Sequence, residues 1–174
     1  HPTVDLTTHV TDVVNLIEFE DLHDVILVGH SYAGHVVSLV ADRVKDRLSH
    51  VVYLDAVLAI DGKAFLPPGV GEERMKTAKD GYLMATAGME FLGMPRGHPR
   101  QDWGESNLVE PPLPTLMETV PYENGGPAGG PKTCVRCLQS ARMVGGVADP
   151  VAEMAAQDSE WTYLTLDTGH DLMV

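Results

Sequence analysis

At 174 residues, with 44% hydrophobic and 21% charged side chains, the chain has the size of one globular domain and can bury roughly 70% of its unfolded surface without metal or disulfide staples. Against 25 Asp and Glu stand only 12 Lys and Arg, a formal net charge of -13, and the basic residues are scattered, which argues against nucleic acid or an anionic lipid surface as partner. No apolar run approaches the roughly 18 residues that cross a bilayer, because Asp, Arg, His or Gly interrupts each candidate.

Leu6, Val10, Val13, Val14 and Ile17 recur at spacings of three and four, with Asp5 and Thr7 available as caps, and predict an amphipathic helix over 6–19. Val25-Ile26-Leu27-Val28 is a short β-branched run of the kind found in parallel strands buried on both faces. Val36, Val37, Leu39, Val40 and Val44 mark a second helix from about 33 to 47, and Val51-Val52-Tyr53-Leu54 a second strand, which completes a βαβ unit. Beyond Asp55 come Pro67-Pro68, several glycines and Met75, Met84, Met89 and Met94, in a stretch with helical pieces but no strand. Residues 61–131 therefore read as an insertion or cap, closed by the Gly/Pro-rich loop 125–131. The rhythm resumes with a strand at 132–138, a helix from Pro150 capped by Asp149, and a last strand, Trp161-Thr162-Tyr163-Leu164-Thr165-Leu166.

Cys134 and Cys137 are too few for a disulfide scaffold and suit a reducing compartment, which sets the expectation of a cytoplasmic protein. A chain beginning at His1 rather than Met says nothing about a leader. The C-x-x-C pair lies within a predicted strand and has no second pair to complete a zinc site, so it reads as structural. The 125–133 stretch imitates a phosphate loop, but Pro131 precedes Lys132 and a strand follows, so it reads as a linker.

Between the first strand and its helix sits Gly29-His30-Ser31-Tyr32-Ala33-Gly34, the pattern of a nucleophile elbow, in which a serine on a tight strand-to-helix turn projects its hydroxyl above the sheet. The string alone is weak evidence; a strand ending at Gly29 and a helix starting near Tyr32 give it force. The following helix aims its N-terminal N–H groups at whatever binds Ser31, which favours a developing oxyanion.

A serine hydroxyl needs a base, and the base an orienting carboxylate. His170, in Asp167-Thr168-Gly169-His170-Asp171, follows the last strand and so is expected at the same sheet edge as Ser31. His1 is terminal, His9 and His23 precede the elbow, His50 sits at the wrong end of its strand, and His30 is expected to point away from Ser31. For the carboxylate, Leu138-Gln139-Ser140 after the strand at Lys132–Cys137 offers none. Asp55 ends the strand next to the nucleophile strand and is the candidate; Asp149, better explained as a cap, comes second. There is no H-E-x-x-H, and the eight histidines show no ligand spacing, so neither cofactor nor metal is expected.

The string 25–34, Val52-Tyr53-Leu54-Asp55-Ala56, Pro111-Pro112-Leu113-Pro114-Thr115 and 167–171 together resemble the α/β-hydrolase superfamily, within it the small esterases grouped with pyrethroid hydrolases, plant methylesterases and hydroxynitrile lyases. The resemblance implies an α/β fold, a mostly parallel sheet flanked by helices with a cap insertion, with Ser31 as nucleophile, His170 as base and the Tyr32 N–H as an oxyanion donor. It places Ser140 about where plant methylesterases carry their acid. It also implies earlier strands with a His-Gly loop supplying the second oxyanion donor, and a final helix, so the chain is expected to be truncated at both ends or covered by a second copy as a homo-oligomer. The implied activity is hydrolysis of a small to medium apolar carboxylic ester through an acyl-enzyme. A hydroxynitrile-lyase-like enzyme, marked by an extra cation, and a non-catalytic ligand-binding protein are the rivals.

Overall fold

The computed structural model describes residues 1–86, 88–90, 92–127, 130–143 and 150–173. In chain order these form α1 (Leu6–Phe19), β1 (Val25–His30), α2 (Ala33–Arg43), one 3₁₀ turn (Lys45–Arg47), β2 (Leu48–Leu54), α3 (Val70–Met75), α4 (Gln101–Asn107), α5 (Leu113–Met117), β3 (Lys132–Cys137), α6 (Leu138–Met143), α7 (Pro150–Ala155) and β4 (Trp161–Leu166). The four strands make one parallel sheet in the order β1-β2-β3-β4. Parallel neighbours all deliver their carboxyl ends to one edge, and His30 pairs with Leu54, Leu54 with Val135, and Cys137 with Leu166 there.

Helix α1 starts on a reciprocal cap. The Asp5 carboxylate accepts the Thr8 N–H at 2.8 Å, and the Thr8 hydroxyl oxygen accepts the Asp5 N–H at 3.4 Å. The Thr7 N–H and hydroxyl both donate to Glu118, each at 2.7 Å, which ties this helix to the chain after α5. Replacing Asp5 by alanine is expected to cost about 1 kcal/mol in urea unfolding, the usual worth of such a cap.

Helix α2 lies between α1 and the sheet, and this explains why its side chains are buried nearly all round. One side, with Val36, Leu39, Val40 and Val44, meets Leu6, Val10 and Ile17 of α1. The other, with Val37 and Ala41, meets Val51, Tyr53, Cys134 and Trp161 of the sheet and Val151 of α7. The buried Asp42 carboxylate accepts backbone N–H groups of Glu123 at 2.6 Å, Asn124 at 3.1 Å and Gly126 at 2.7 Å. It thereby holds the returning chain just before β3.

Three expectations change. The second helix ends at Arg43 and yields to the 3₁₀ turn, because Val44 leaves helical geometry at φ -123°, ψ 34°. The strand expected over 132–138 stops at Cys137, where Leu138 opens α6. The run 25–28 is not buried on both faces, since Ile26 is 63% and Val28 52% exposed. Its apolar continuity reflects one face packed on α2 and an opposite, open face shared with Leu164 and Leu166 of β4. Between β2 and β3 the described residues contain short helices and two isolated bridges, Lys79 with Leu83 and Leu83 with Pro112. The expected cap Asp149 lies outside the described residues.

Candidate active site

Ser31 occupies the single residue between the end of β1 and Tyr32, the N-cap of α2, and adopts φ +54°. A β-carbon in that left-handed region is disfavoured, and the turn is held by the Ser31 N–H on Leu54 C=O at 3.2 Å, with the Gly34 and Val57 N–H groups on Ser31 C=O at 3.0 and 3.2 Å. Glycine is required on both sides. A Cβ on Gly29 would stand 2.8 Å from Ala33 O, and one on Gly34 2.4 Å from Val57 O, where the chain beyond β2 crosses the helix start. Among the described residues the Tyr32 N–H meets no backbone acceptor, and as the N-cap residue it stands next to Ser31 at the positive end of α2.

Three side chains from three strand ends meet here. The Ser31 Oγ lies 2.8 Å from His170 Nε2, and His170 Nδ1 lies 2.6 Å from Asp55 Oδ2. A carboxylate only accepts, so Nδ1 carries the proton and Nε2 offers its lone pair to the Ser31 O–H. Asp55, itself at φ +41° and 3% exposed, has its Oδ1 on the Cys137 N–H at 2.9 Å and on Arg136 Nη1 at 3.4 Å, and accepts the Ser140 hydroxyl on Oδ2 at 2.5 Å. Burial alone would push the Asp55 carboxyl up. The hydrogen bonds from His170, Ser140 and the Cys137 N–H, with the Arg136 charge, together outweigh it and hold the group below the ordinary value of 3.8.

His30 does not turn away from this cluster. Its Nε2–H donates to His170 C=O at 2.9 Å, its ring sits 4.6 Å from the His170 ring, and Asp171 Oδ1 is 3.7 Å away. Strict strand alternation would have separated residues 30 and 31, but the left-handed Ser31 breaks the alternation and leaves both at the site. The His170 loop is gripped from the other side as well. Asp171 N–H donates to Leu92 C=O at 2.8 Å, and a Cβ on Gly93 would stand 2.7 Å from Gly169 Cα.

Of the other histidines named from sequence, His9 reaches the Tyr32 hydroxyl at 3.2 Å and His50 the Thr133 hydroxyl at 2.8 Å. Ser140, Arg136, His30 and Gly93 were not expected as supports. Only Ser140 carried a sequence signal, a hydroxyl standing where an acid was sought. Cys134 and Cys137 are both buried, and burial together with the Asp55 charge pushes the Cys137 thiol up to about 11, which keeps it a thiol. Among the described residues no group of three His, Cys, Asp or Glu could hold a metal ion, and no helix is long and apolar enough to cross a membrane. Phe65, whose ring packs edge-on against Tyr32 at 5.6 Å, lines a mainly apolar cavity of about 420 Å³ with Leu66, Pro67 and Met117, and with Lys63, Glu72 and Thr119 as its polar lining.

Comparison with known proteins agrees with this architecture. The carbendazim hydrolyzing esterase of Nocardioides sp. (strain SG-4G) is 30% identical over 192 residues, spanning 98% of this chain and 74% of that protein. An extracellular alpha/beta-hydrolase from a Paenibacillus species, described as sharing structural and functional homology with tobacco salicylic acid binding protein 2, superposes with a TM-score of 0.76 at 19% identity, over 98% of this chain and 74% of its own. A pyrethroid hydrolase superposes with a TM-score of 0.51 at 18% identity, over 97% and 71%. The family match extends over residues 1–174, and the chain belongs to the alpha/beta hydrolase family.

Proposed function

We propose that the protein is a serine esterase that cleaves a small to medium apolar carboxylic ester through an acyl-enzyme. The observation that carries this reading is the line from Ser31 Oγ through His170 to Asp55, 2.8 and 2.6 Å long. In the proposed reaction His170 Nε2 takes the Ser31 proton as Oγ bonds to the ester carbonyl carbon. The Tyr32 N–H donates to the oxyanion. The tetrahedral adduct then expels the alcohol, which takes its proton from His170, and leaves the acyl group on Ser31. Water adds next, its proton passing to His170, and the acid departs as Ser31 regains its proton. Asp55 stays ionised and stabilises the imidazolium formed in each half-reaction. The choice of ester rests on the esterase relative, and the preference for an apolar group on the Phe65 cavity.

The lyase rival calls for an additional cation near the nucleophile. Arg136 instead sits on Asp55, across the imidazole from Ser31. Intact mass after incubation with a fluorophosphonate tests the proposal. The Ser31 Oγ displaces fluoride from phosphorus while His170 takes its proton. A single adduct that is lost in Ser31→Ala is the expected result; an unlabelled parent chain would remove the esterase reading and leave ligand binding without turnover.

A further inference from the structure

The Asp55 carboxylate has two oxygens with different duties. Oδ1 is occupied by the Cys137 N–H and the Arg136 guanidinium, both from β3. Oδ2 is shared by His170 Nδ1–H at 2.6 Å and the Ser140 hydroxyl at 2.5 Å. A hydroxyl has one proton to give. The Ser140 oxygen also stands 3.0 Å from Cys137 C=O, three residues back along the chain, the ordinary acceptor for a serine in a first helical turn. The shorter contact is the one to the carboxylate, from a residue 85 positions away in sequence. A purely local role for Ser140 would have put its proton on Cys137 C=O.

We infer that Ser140 is a positioning residue for the reaction at Ser31: its hydroxyl fixes Asp55 Oδ2 in line with His170 Nδ1 and takes up part of that oxygen's charge, which sets how strongly His170 holds a proton. The inference rests on the serine-esterase reading above. Two effects follow when the hydroxyl is removed. The carboxylate loses one of the two bonds that orient Oδ2, so the imidazole is less well aimed at Ser31. The charge formerly shared with Ser140 falls wholly on the imidazolium, so His170 keeps its proton to a higher pH. The other titratable or charged groups around the pair are Arg136 and Cys137 of β3 on the Asp55 side, and His30 and Asp171 beside His170. None of them is altered by a substitution at 140.

The rate of Ser31 phosphonylation by a fluorophosphonate, followed by intact mass from about pH 5 to about pH 9, reads both effects without knowledge of the natural ester. Ser140→Ala is expected to lower the high-pH plateau about tenfold, the worth of one charge-assisted hydrogen bond, and to shift the midpoint of the acid limb upward. Ser140→Thr, which restores the hydroxyl, is expected within about threefold of the parent with the midpoint back in place. Ser140→Cys keeps the shape with only a weak donor and is expected to follow Ser140→Ala, so that a poorly folding alanine variant does not decide the matter. A folded Ser140→Ala or Ser140→Cys with unchanged plateau and midpoint overturns the inference, as does a lowered plateau with an unmoved midpoint, which would mark a packing role. A parent chain that never labels at Ser31 overturns the esterase reading itself, a distinct result.

Discussion

Asp55→Asn is expected to slow phosphonylation of Ser31 by about 10³ to 10⁴-fold while leaving the protein folded. The loss is chemical. The Cys137 N–H donates to Oδ1, so the amide oxygen of an asparagine settles there and its NH₂ group falls on the Oδ2 side, facing His170. A donor at that position forces Nδ1 to accept, which puts the imidazole proton on Nε2 and turns it toward Ser31. The base is then in the wrong tautomer, and Ser140, having lost its acceptor, turns to Cys137 C=O. Parent-like labelling of a folded Asp55→Asn chain would show that the orienting acid lies elsewhere.

The same substitution carries a signature in acid. The folded protein holds the Asp55 carboxyl below the ordinary value of 3.8, so its stabilising contribution is complete above that value and is lost as the pH falls through the folded value. The stability difference between the parent and Asp55→Asn, measured by denaturant unfolding at a series of pH values, is therefore expected to shrink as the pH falls below about 4. A difference that survived unchanged through that acid range would contradict the depressed value.

Asp42→Ala is expected to cost about 3 kcal/mol, and so to lower the melting temperature by about 6–12 °C in a chain of this size. Asp42 is 1% exposed, and its carboxylate accepts three backbone N–H groups from one four-residue stretch, at Glu123, Asn124 and Gly126. Removing it leaves the buried Gly126 N–H without its partner, at a cost larger than the net worth of that bond, and loses the part-buried bonds to Glu123 and Asn124 as well. Asp42→Asn, which keeps one acceptor oxygen, is expected to fall between the two. Because Asp42 sits at the far end of α2 from Ser31, the variant is expected to label normally at low temperature. A variant that melts with the parent would mean that water reaches the Glu123–Gly126 segment.

Much of this arrangement could be read in advance because parallel strands impose it. Ser31, Asp55 and His170 follow β1, β2 and β4, and residues that follow parallel strands gather at one edge whatever the details of the loops. The apolar spacing of α1 and α2 was likewise legible, because burial against the sheet requires it. What resisted reading depended on distance along the chain or on backbone contact. The Ser140 hydroxyl finds a partner 85 residues away, and its position marks the place of an acid without showing which residue it would serve. The side on which His30 lies is not legible because the strand runs through His30, one residue beyond the expected end at Gly29, and strand alternation then stops at Ser31, a serine in a left-handed turn. The exposure of Ile26 and Val28 could not be told from burial on two faces, since a β-branched run has the same composition in both settings.

The backbone contact between Gly93 and Gly169 reaches beyond the site itself. Leu92 and Gly93 belong to the long excursion between β2 and β3, the part of the chain whose side chains line the cavity beside Tyr32 and would be the natural target for redesigning substrate preference. Yet this excursion also props the loop that presents His170, through Leu92 C=O and the bare Cα of Gly93. The excursion therefore carries two separate duties, the walls of a cavity in one part and a brace for the His170 loop in another. On the esterase reading, a library that randomises residues 62–72 and 117–119 changes the walls of the cavity, whereas one that includes 92 and 93 disturbs the loop that presents His170 and is expected to return mostly inactive clones regardless of the ester offered.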